Sequence, residues 1–291
     1  MKPVAISICA LVTLTGCSRN TPADSGQFAQ EISPGSTTGS SAGTLPGGTS
    51  TRGNSGDSLE PSFTELRSSI PADVGVAIAD ANGVRAFGSW IEGPAWSTIK
   101  IPLSIAALRH SAEQASVLVP LAIRDSDNPA AEELWAQLGE PSEAAQAVAA
   151  VLKEGGDSST VVQSVRTRKE FTAFGQTTWS VDNQASFTKV LPCLSGSGPV
   201  LTDMRQLADN QRWGLAVRPG VAAKGGWGPS PEGAYLVRQI ATITARQGQI
   251  GVALSALPND GKFESGKVHV EKLAEWFEQN LGRFSPQKCP P

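Results

Sequence analysis

Strand-forming patterns fall only at the two ends of a region running from residue 62 to residue 285, and that separation limits the folds open to it. Val74–Ala79 and Val84–Gly88 are apolar runs joined by the turn signal Asn82-Gly83. Val221–Gly225, Ala234–Thr242 and Ile250–Leu257 supply the remaining strands more than 130 positions later. The interval reads as helix. Ser97–His110 carries Ile101, Ile105 and Leu108 at helical spacing, and Pro129–Leu138, the alanine-rich Ser142–Lys153 and Asp182–Leu191 follow. Ser62-Phe63-Thr64-Glu65 predicts a capping box opening a short helix before Pro71. A last helix, Val268–Leu281, puts Val270, Leu273, Ala274 and Phe277 on one face. The two sets of strands can be buried together only by joining, so the expected fold is α+β. It is one antiparallel sheet of about five strands, flanked on one face by the terminal helices, with a helical subdomain as the other half. The cleft between the halves is where a small-molecule site belongs.

Residues 1–16 read as a leader rather than as fold. Lys2 supplies the positive start, Val4–Leu14 the apolar stretch, and Leu14-Thr15-Gly16-Cys17 the cleavage string, in a segment too short to span a bilayer. That string resembles those of bacterial lipoproteins, in which the cysteine is acylated and becomes the mature N-terminus. The resemblance implies a membrane anchor at Cys17 and a place on the outer side of the bacterial cytoplasmic membrane. Residues 17–61 are rich in Ser, Gly, Thr and Pro, have almost nothing to bury, and read as a flexible tether. Cys9 leaves with the leader and Cys17 carries the lipid. Cys193 and Cys289 then remain, either paired in a disulfide, as an oxidising compartment favours, or separately buried. Residues 286–291 form a tail.

Several chemistries are excluded or weakened. A formal net charge of −3 gives no broad basic surface, so nucleic acid is not an expected partner. No His-Glu-x-x-His string or paired-cysteine ligand set occurs, so no metal or other cofactor is implied. Ser-His-Asp catalysis would need His110 or His269. The first lies about 20 Å along the helix from Ser97, and the second opens the last helix.

Three strings carry a different nucleophilic chemistry. In Ser97-Thr98-Ile99-Lys100, residues i and i+3 share a helix face, so Lys100 can bring its amine to the Ser97 hydroxyl. A desolvated lysine would then accept the serine proton. The pattern alone is weak, because Ser186-Phe187-Thr188-Lys189 and Ser285-Pro286-Gln287-Lys288 match it too. Ser126-Asp127-Asn128 stands directly before Pro129, where Asp127 or Asn128 caps a helix. Read functionally, Ser126 shuttles a proton to the leaving group and Asn128 donates a hydrogen bond to substrate. Lys224-Gly225-Gly226, followed by Trp227, is a strand with bare backbone. That suits either a glycine-rich hairpin or close approach of a peptide-like substrate.

In this order, the strings resemble the active site of class A β-lactamases and the wider penicillin-binding serine hydrolases. Gly175-Gln176-Thr177-Thr178-Trp179-Ser180 resembles the Thr-Thr segment that follows the Ω-loop in those enzymes. The resemblance covers residues 62–285 and is patchy between motifs. It implies Ser97 as nucleophile, Lys100 as base, and Ser126, Asn128 and Lys224 around the cleft. The backbone N–H groups of Ser97 and Trp227 would form the oxyanion hole, with Gly225 and Gly226 beside the substrate. Its implied partners are β-lactams or peptidoglycan-type peptides. Three departures accompany it. Gly225 stands where the family has a hydroxyl residue. Only 29 positions separate Ser97 from Ser126, which trims the helical half. No Glu-x-x-Leu-Asn string precedes Thr177, and Glu170, the nearest acid, is too close to it. Two readings follow: a serine hydrolase whose acyl-enzyme turns over slowly, or a weak or inactive envelope binding lipoprotein on the same scaffold.

Overall fold

A computed structural model describes residues 59–289. The expected leader, the expected lipidation site Cys17 and the tether as far as residue 58 lie outside the described residues. The first helix, α1 (Glu60–Ser68), starts two residues before the expected capping box. Pro61 supplies a helical φ at its first turn. Ser62 therefore lies inside the helix, its hydroxyl donating to the Leu59 carbonyl at 3.0 Å. The capping box does not form, and Leu59, assigned to the tether, is buried.

The remaining order is β1 (Ala72–Asp80), β2 (Gly83–Gly88), β3 (Glu92–Pro94), a 3-10 turn at Trp96–Ile99, α2 (Lys100–His110), α3 (Ala112–Ala115), α4 (Val119–Arg124), α5 (Asn128–Gln137), α6 (Pro141–Glu154), β4 (Thr178–Ser180), α7 (Val181–Val190), α8 (Ser197–Met204), β5 (Ala222–Pro229), β6 (Tyr235–Ala245), β7 (Gly248–Pro258) and α9 (Phe263–Gln279). Five strands form one sheet in the order β2-β1-β7-β6-β5, every neighbouring pair antiparallel. The early hairpin and the late strands thus meet where β1 pairs β7, Val76 opposite Leu254 and Ile78 opposite Val252. The short pair β3–β4 was not legible in the sequence; three residues per strand carry no usable alternation.

Side-chain alternation along β1 divides the core. Val74, Val76 and Ile78 pack with α1 and α9 through Phe63, Val270, Leu273 and Phe277. Ala77 and Ala79 face the opposite side, with Ile101, Ile105, Ala185 and Phe187 of α2 and α7. Those alanines leave room for α7 to lie close on the sheet. The helical half is built by capped starts: Asp127 Oδ1 accepts from Ala130 N at 2.6 Å to open α5, and Ser180 Oγ accepts from Asn183 N at 3.2 Å to open α7. A disulfide joins Cys193 to Cys289 across 96 positions, with Cα atoms 5.4 Å apart, and Gln287 pairs with Gln249 at the sheet's end.

Candidate active site

The turn that carries Ser97 is tighter than an α-helical start. Trp96 has a φ of +48°, and the α-helix itself begins at Lys100, so Ser97 lies in a 3-10 turn before α2. Ser126, across the cleft, has a φ of +59°. Left-handed backbone at residues other than glycine costs energy and clusters at functional sites. Here the two such positions among the described residues flank one cavity.

Ser126 stands between two buried lysines. Lys100 Nζ donates to the Ser126 carbonyl at 2.6 Å, the Asp127 carbonyl at 3.1 Å and Asn128 Oδ1 at 2.7 Å. Lys224 Nζ donates to the Ser126 hydroxyl at 2.8 Å and the Gly225 carbonyl at 2.9 Å. Burial pushes the Lys100 amine down to about 7 against the opposing pull of Asp127 and Glu132. Lys224 has no exposed surface; burial and the nearby Lys100 charge hold its amine well below the ordinary lysine value. The expectation that Lys100 reaches the Ser97 hydroxyl is not met. Among the described residues nothing hydrogen-bonds that hydroxyl, because three acceptors at the head of α5 outcompete a single neutral one. Asn128 thus turns its side-chain oxygen to the Lys100 amine, and the residue lines the cavity.

β5 is the edge strand, and its bare backbone is explained by what it touches. A Cβ at Gly226 would stand 2.9 Å from both the Ala95 carbonyl oxygen and the Ser97 amide nitrogen. The strand therefore packs against the turn that carries Ser97, and Ser97 and Trp227 line the same cavity. A Cβ at Gly225 would come within 2.5 Å of the Trp213 ring, and Gln239 donates to the Trp213 backbone carbonyl at 2.7 Å. A hydroxyl-bearing residue has no room there.

The opposite wall is the loop from Thr167 to Gln176. The Gln176 amide staples it, accepting from Thr167 Oγ1 at 2.5 Å and Arg168 N at 2.8 Å and donating to the carbonyls of Arg168 and Thr172 at 3.1 Å each. Phe171 meets Trp96 edge to face at 5.1 Å, and the Arg168 guanidinium lies 4.3 Å over the Phe171 ring while donating to the Pro229 carbonyl of β5. The open cavity between these walls is about 220 Å³, lined by Trp96, Ser97, Lys100, Asn128, Phe171, Thr172, Trp227 and Tyr235 among others.

Comparison with solved structures places this architecture. A class A β-lactamase from Mycobacterium abscessus superposes with a TM-score of 0.60 at 18% identity, over 77% of this chain and 100% of that one. The class A β-lactamase of the last common ancestor of Gram-negative bacteria gives 0.60 at 20% identity, over 77% and 99%. A β-lactamase from Streptosporangium roseum gives 0.59 at 14%, over 78% and 99%. The chain has a class A β-lactamase-like fold. No protein-family model matches the sequence, and no curated protein matches it either.

On this β-lactamase-like fold, Ser97, Lys100, Asn128 and Trp227 line the cavity together. Ser126 and Lys224 stand behind Lys100, and Gly225 and Gly226 form the strand floor. The second Ser-x-x-Lys string is elsewhere, on α7, with Lys189 donating to the Asp80 carbonyl. Glu170 faces solvent and pairs with Arg168 at 3.1 Å, and among the described residues no carboxylate lines the cavity. Sequence reasoning missed Trp96, Phe171, Tyr235 and the stapling Gln176. Trp96 adjoined a motif and Gln176 lay within the Gly175–Ser180 string, but neither string assigned it a role, and aromatic residues scattered along a chain give no sign of convergence.

Proposed function

We propose that this chain is a serine hydrolase that forms an acyl-enzyme on Ser97 with β-lactams or peptidoglycan-type peptides and releases it slowly. The observation that carries this reading is the meeting on Ser126 of two lysines whose amines burial holds below the ordinary value, beside a serine whose hydroxyl is unengaged. Their mutual repulsion favours one proton shared between the two amines. With that proton on Lys224, neutral Lys100 has a lone pair to take the Ser97 proton as Oγ bonds to the acyl carbon. The oxyanion is met by the N–H groups of Ser97 and Trp227. Collapse breaks the acyl C–N bond, the departing nitrogen takes the Ser126 hydroxyl proton, and Lys224 replaces it. The proton lost at Lys224 matches the one gained at Lys100. Deacylation needs a water deprotonated beside the ester, and the cavity wall offers no carboxylate for it.

A second reading, an envelope binding protein without turnover, is favoured by the full engagement of the Lys100 amine away from Ser97. Intact-mass analysis after incubation with a penicillin separates the two. A mass gain equal to the penicillin, lost in Ser97→Ala, supports the acyl-enzyme. No gain with either a penicillin or a fluorophosphonate, or a gain that survives in Ser97→Ala, overturns it. The leader and tether support export and anchoring by lipid on Cys17, on the outer side of the cytoplasmic membrane.

A further inference from the structure

The cavity is unusual in what it does not offer an anion. Lys100 is the one basic residue in its wall among the described residues, and all three of its donor positions are taken by Ser126, Asp127 and Asn128. Lys224 has no exposed surface and stands behind Ser126. At the rim, Arg168 is engaged on three sides: by the Pro229 carbonyl, by the Glu170 carboxylate at 3.1 Å, and by the Phe171 ring. Below the strand, Trp213 fills the space at Gly225, and the Gln239 side chain is committed to Trp213 and to the Leu215 amide at 2.6 Å. The other polar side chains of the wall, those of Ser97, Asn128, Thr172 and Tyr235, are neutral. Four aromatic residues, Trp96, Phe171, Trp227 and Tyr235, arrive in the wall from four separate segments, beside Gly175, Gly228 and Pro229.

We infer that this site favours acyl donors that bring an aromatic or apolar group and no carboxylate into the cavity, so that penicillins and peptidoglycan-type peptides, which carry a carboxylate, acylate Ser97 more slowly than their uncharged esters. A carboxylate entering here would lose its water without gaining a cation, a cost that pairing normally offsets. Flat aromatic walls reward an apolar group by area burial and ring contact. The inference rests on the acyl-enzyme reading for its chemistry, but the binding preference stands apart from it.

The test uses a matched pair: a phenylacetyl depsipeptide ending in a free carboxylate, and its methyl ester. Acylation of the wild type is followed by intact mass, and binding to Ser97→Ala by calorimetry. The methyl ester should bind Ser97→Ala at least tenfold more tightly and acylate the wild type correspondingly faster. Phe171→Ala should weaken the methyl ester, and Tyr235→Arg, which adds an unengaged charge to the wall, should narrow the preference. Equal binding, or preference for the acid, overturns the inference whether or not Ser97 is acylated. Methyl-ester preference in Ser97→Ala with no acylation of the wild type by either compound supports the inference and overturns the acyl-enzyme reading. Failure of both compounds to bind or acylate overturns both.

Discussion

Arg238 is connected to Thr98 through a single side chain: Arg238 Nη2 donates to Gln184 Oε1 at 2.7 Å, and Gln184 Nε2 donates to Thr98 Oγ1 at 2.9 Å. Thr98 in turn donates to the Ala95 carbonyl at 2.6 Å, closing the turn that holds Ser97. Arg238 is fully buried, and its hydrogen-bond partners are neutral: the carbonyls of Gly93, Pro94 and Trp179 as well as Gln184. Burial pushes its guanidinium down to about 9, which leaves it charged at neutral pH. A buried cation held by four neutral acceptors ties β3, β4 and α7 to the segment entering the nucleophile's turn.

Arg238→Met leaves those acceptors without a donor, so it should destabilise the fold by about 3 kcal/mol, read from urea unfolding. Arg238→Lys should recover only part of the loss, since one ammonium cannot reproduce the planar fork. Wild-type stability in Arg238→Met would show that the network is dispensable.

The lysine pair sets a pH dependence. Acylation that needs neutral Lys100 should rise close to tenfold per pH unit below about 7 and level off above it. A flat profile in labelling experiments between pH 5 and 8 would remove Lys100 as the base. Stability moves with pH as well. The unfolded chain keeps the Lys100 proton up to its ordinary 10.5, whereas the folded chain releases it at about 7. Between those values the unfolded state holds more protons, so the fold gains stability as pH rises through that window. Lys100→Met should flatten the urea-midpoint slope between pH 7 and 9.

Much of this was legible in the sequence, and the limits have physical causes. The separated strand runs, joined by Asn82-Gly83 at one end, required one sheet, and β1 does pair β7. Helices with caps written in the chain, such as α5 behind Asp127, were placed within a residue or two. Ser97, Lys100, Asn128 and Trp227 were found because each adjoins a short motif. Arg238, Gln184 and Trp213 were not, because a buried polar network is assembled from residues 26 to 86 positions apart and leaves no local pattern. The direction of the Lys100 amine was also invisible, since helical spacing fixes a shared face but not which acceptor wins.

The absence of a carboxylate in the wall leads to a kinetic expectation. With a chromogenic cephalosporin the protein should give a burst close to one equivalent, followed by slow release. General-base assistance is typically worth 10²–10⁴-fold, and its loss falls on deacylation alone. Glu170→Gln should leave both phases unchanged, as its carboxylate is exposed and paired with Arg168. Rapid sustained turnover that disappears in Glu170→Gln would mean that the loop carries this residue inward during the reaction.

Membrane attachment tests the leader. Wild-type protein should sediment with membranes, and Cys17→Ala should appear in the soluble fraction or remain unprocessed at the higher mass. Processed Cys17→Ala that still sediments would point to another anchor.

The last prediction concerns Gly225 and Trp213. A threonine at 225 would restore the hydroxyl expected of the third motif, but its Cβ would lie 2.5 Å from the Trp213 ring, and the Trp213 backbone carbonyl accepts a hydrogen bond from Gln239. Overpacking of this kind costs about 1–3 kcal/mol. Gly225→Thr alone should therefore lower the urea midpoint and slow Ser97 labelling, because the displaced strand carries the Trp227 amide. Trp213→Ala alone opens a cavity beneath the strand and should also destabilise. If the two positions are coupled through shared volume, the double variant Gly225→Thr, Trp213→Ala should be more stable than the sum of the single effects allows. A coupling of about 0.5–3 kcal/mol is the range for residues in direct contact. Strict additivity in the double-mutant cycle would mean that Trp213 does not determine which residue fits at 225.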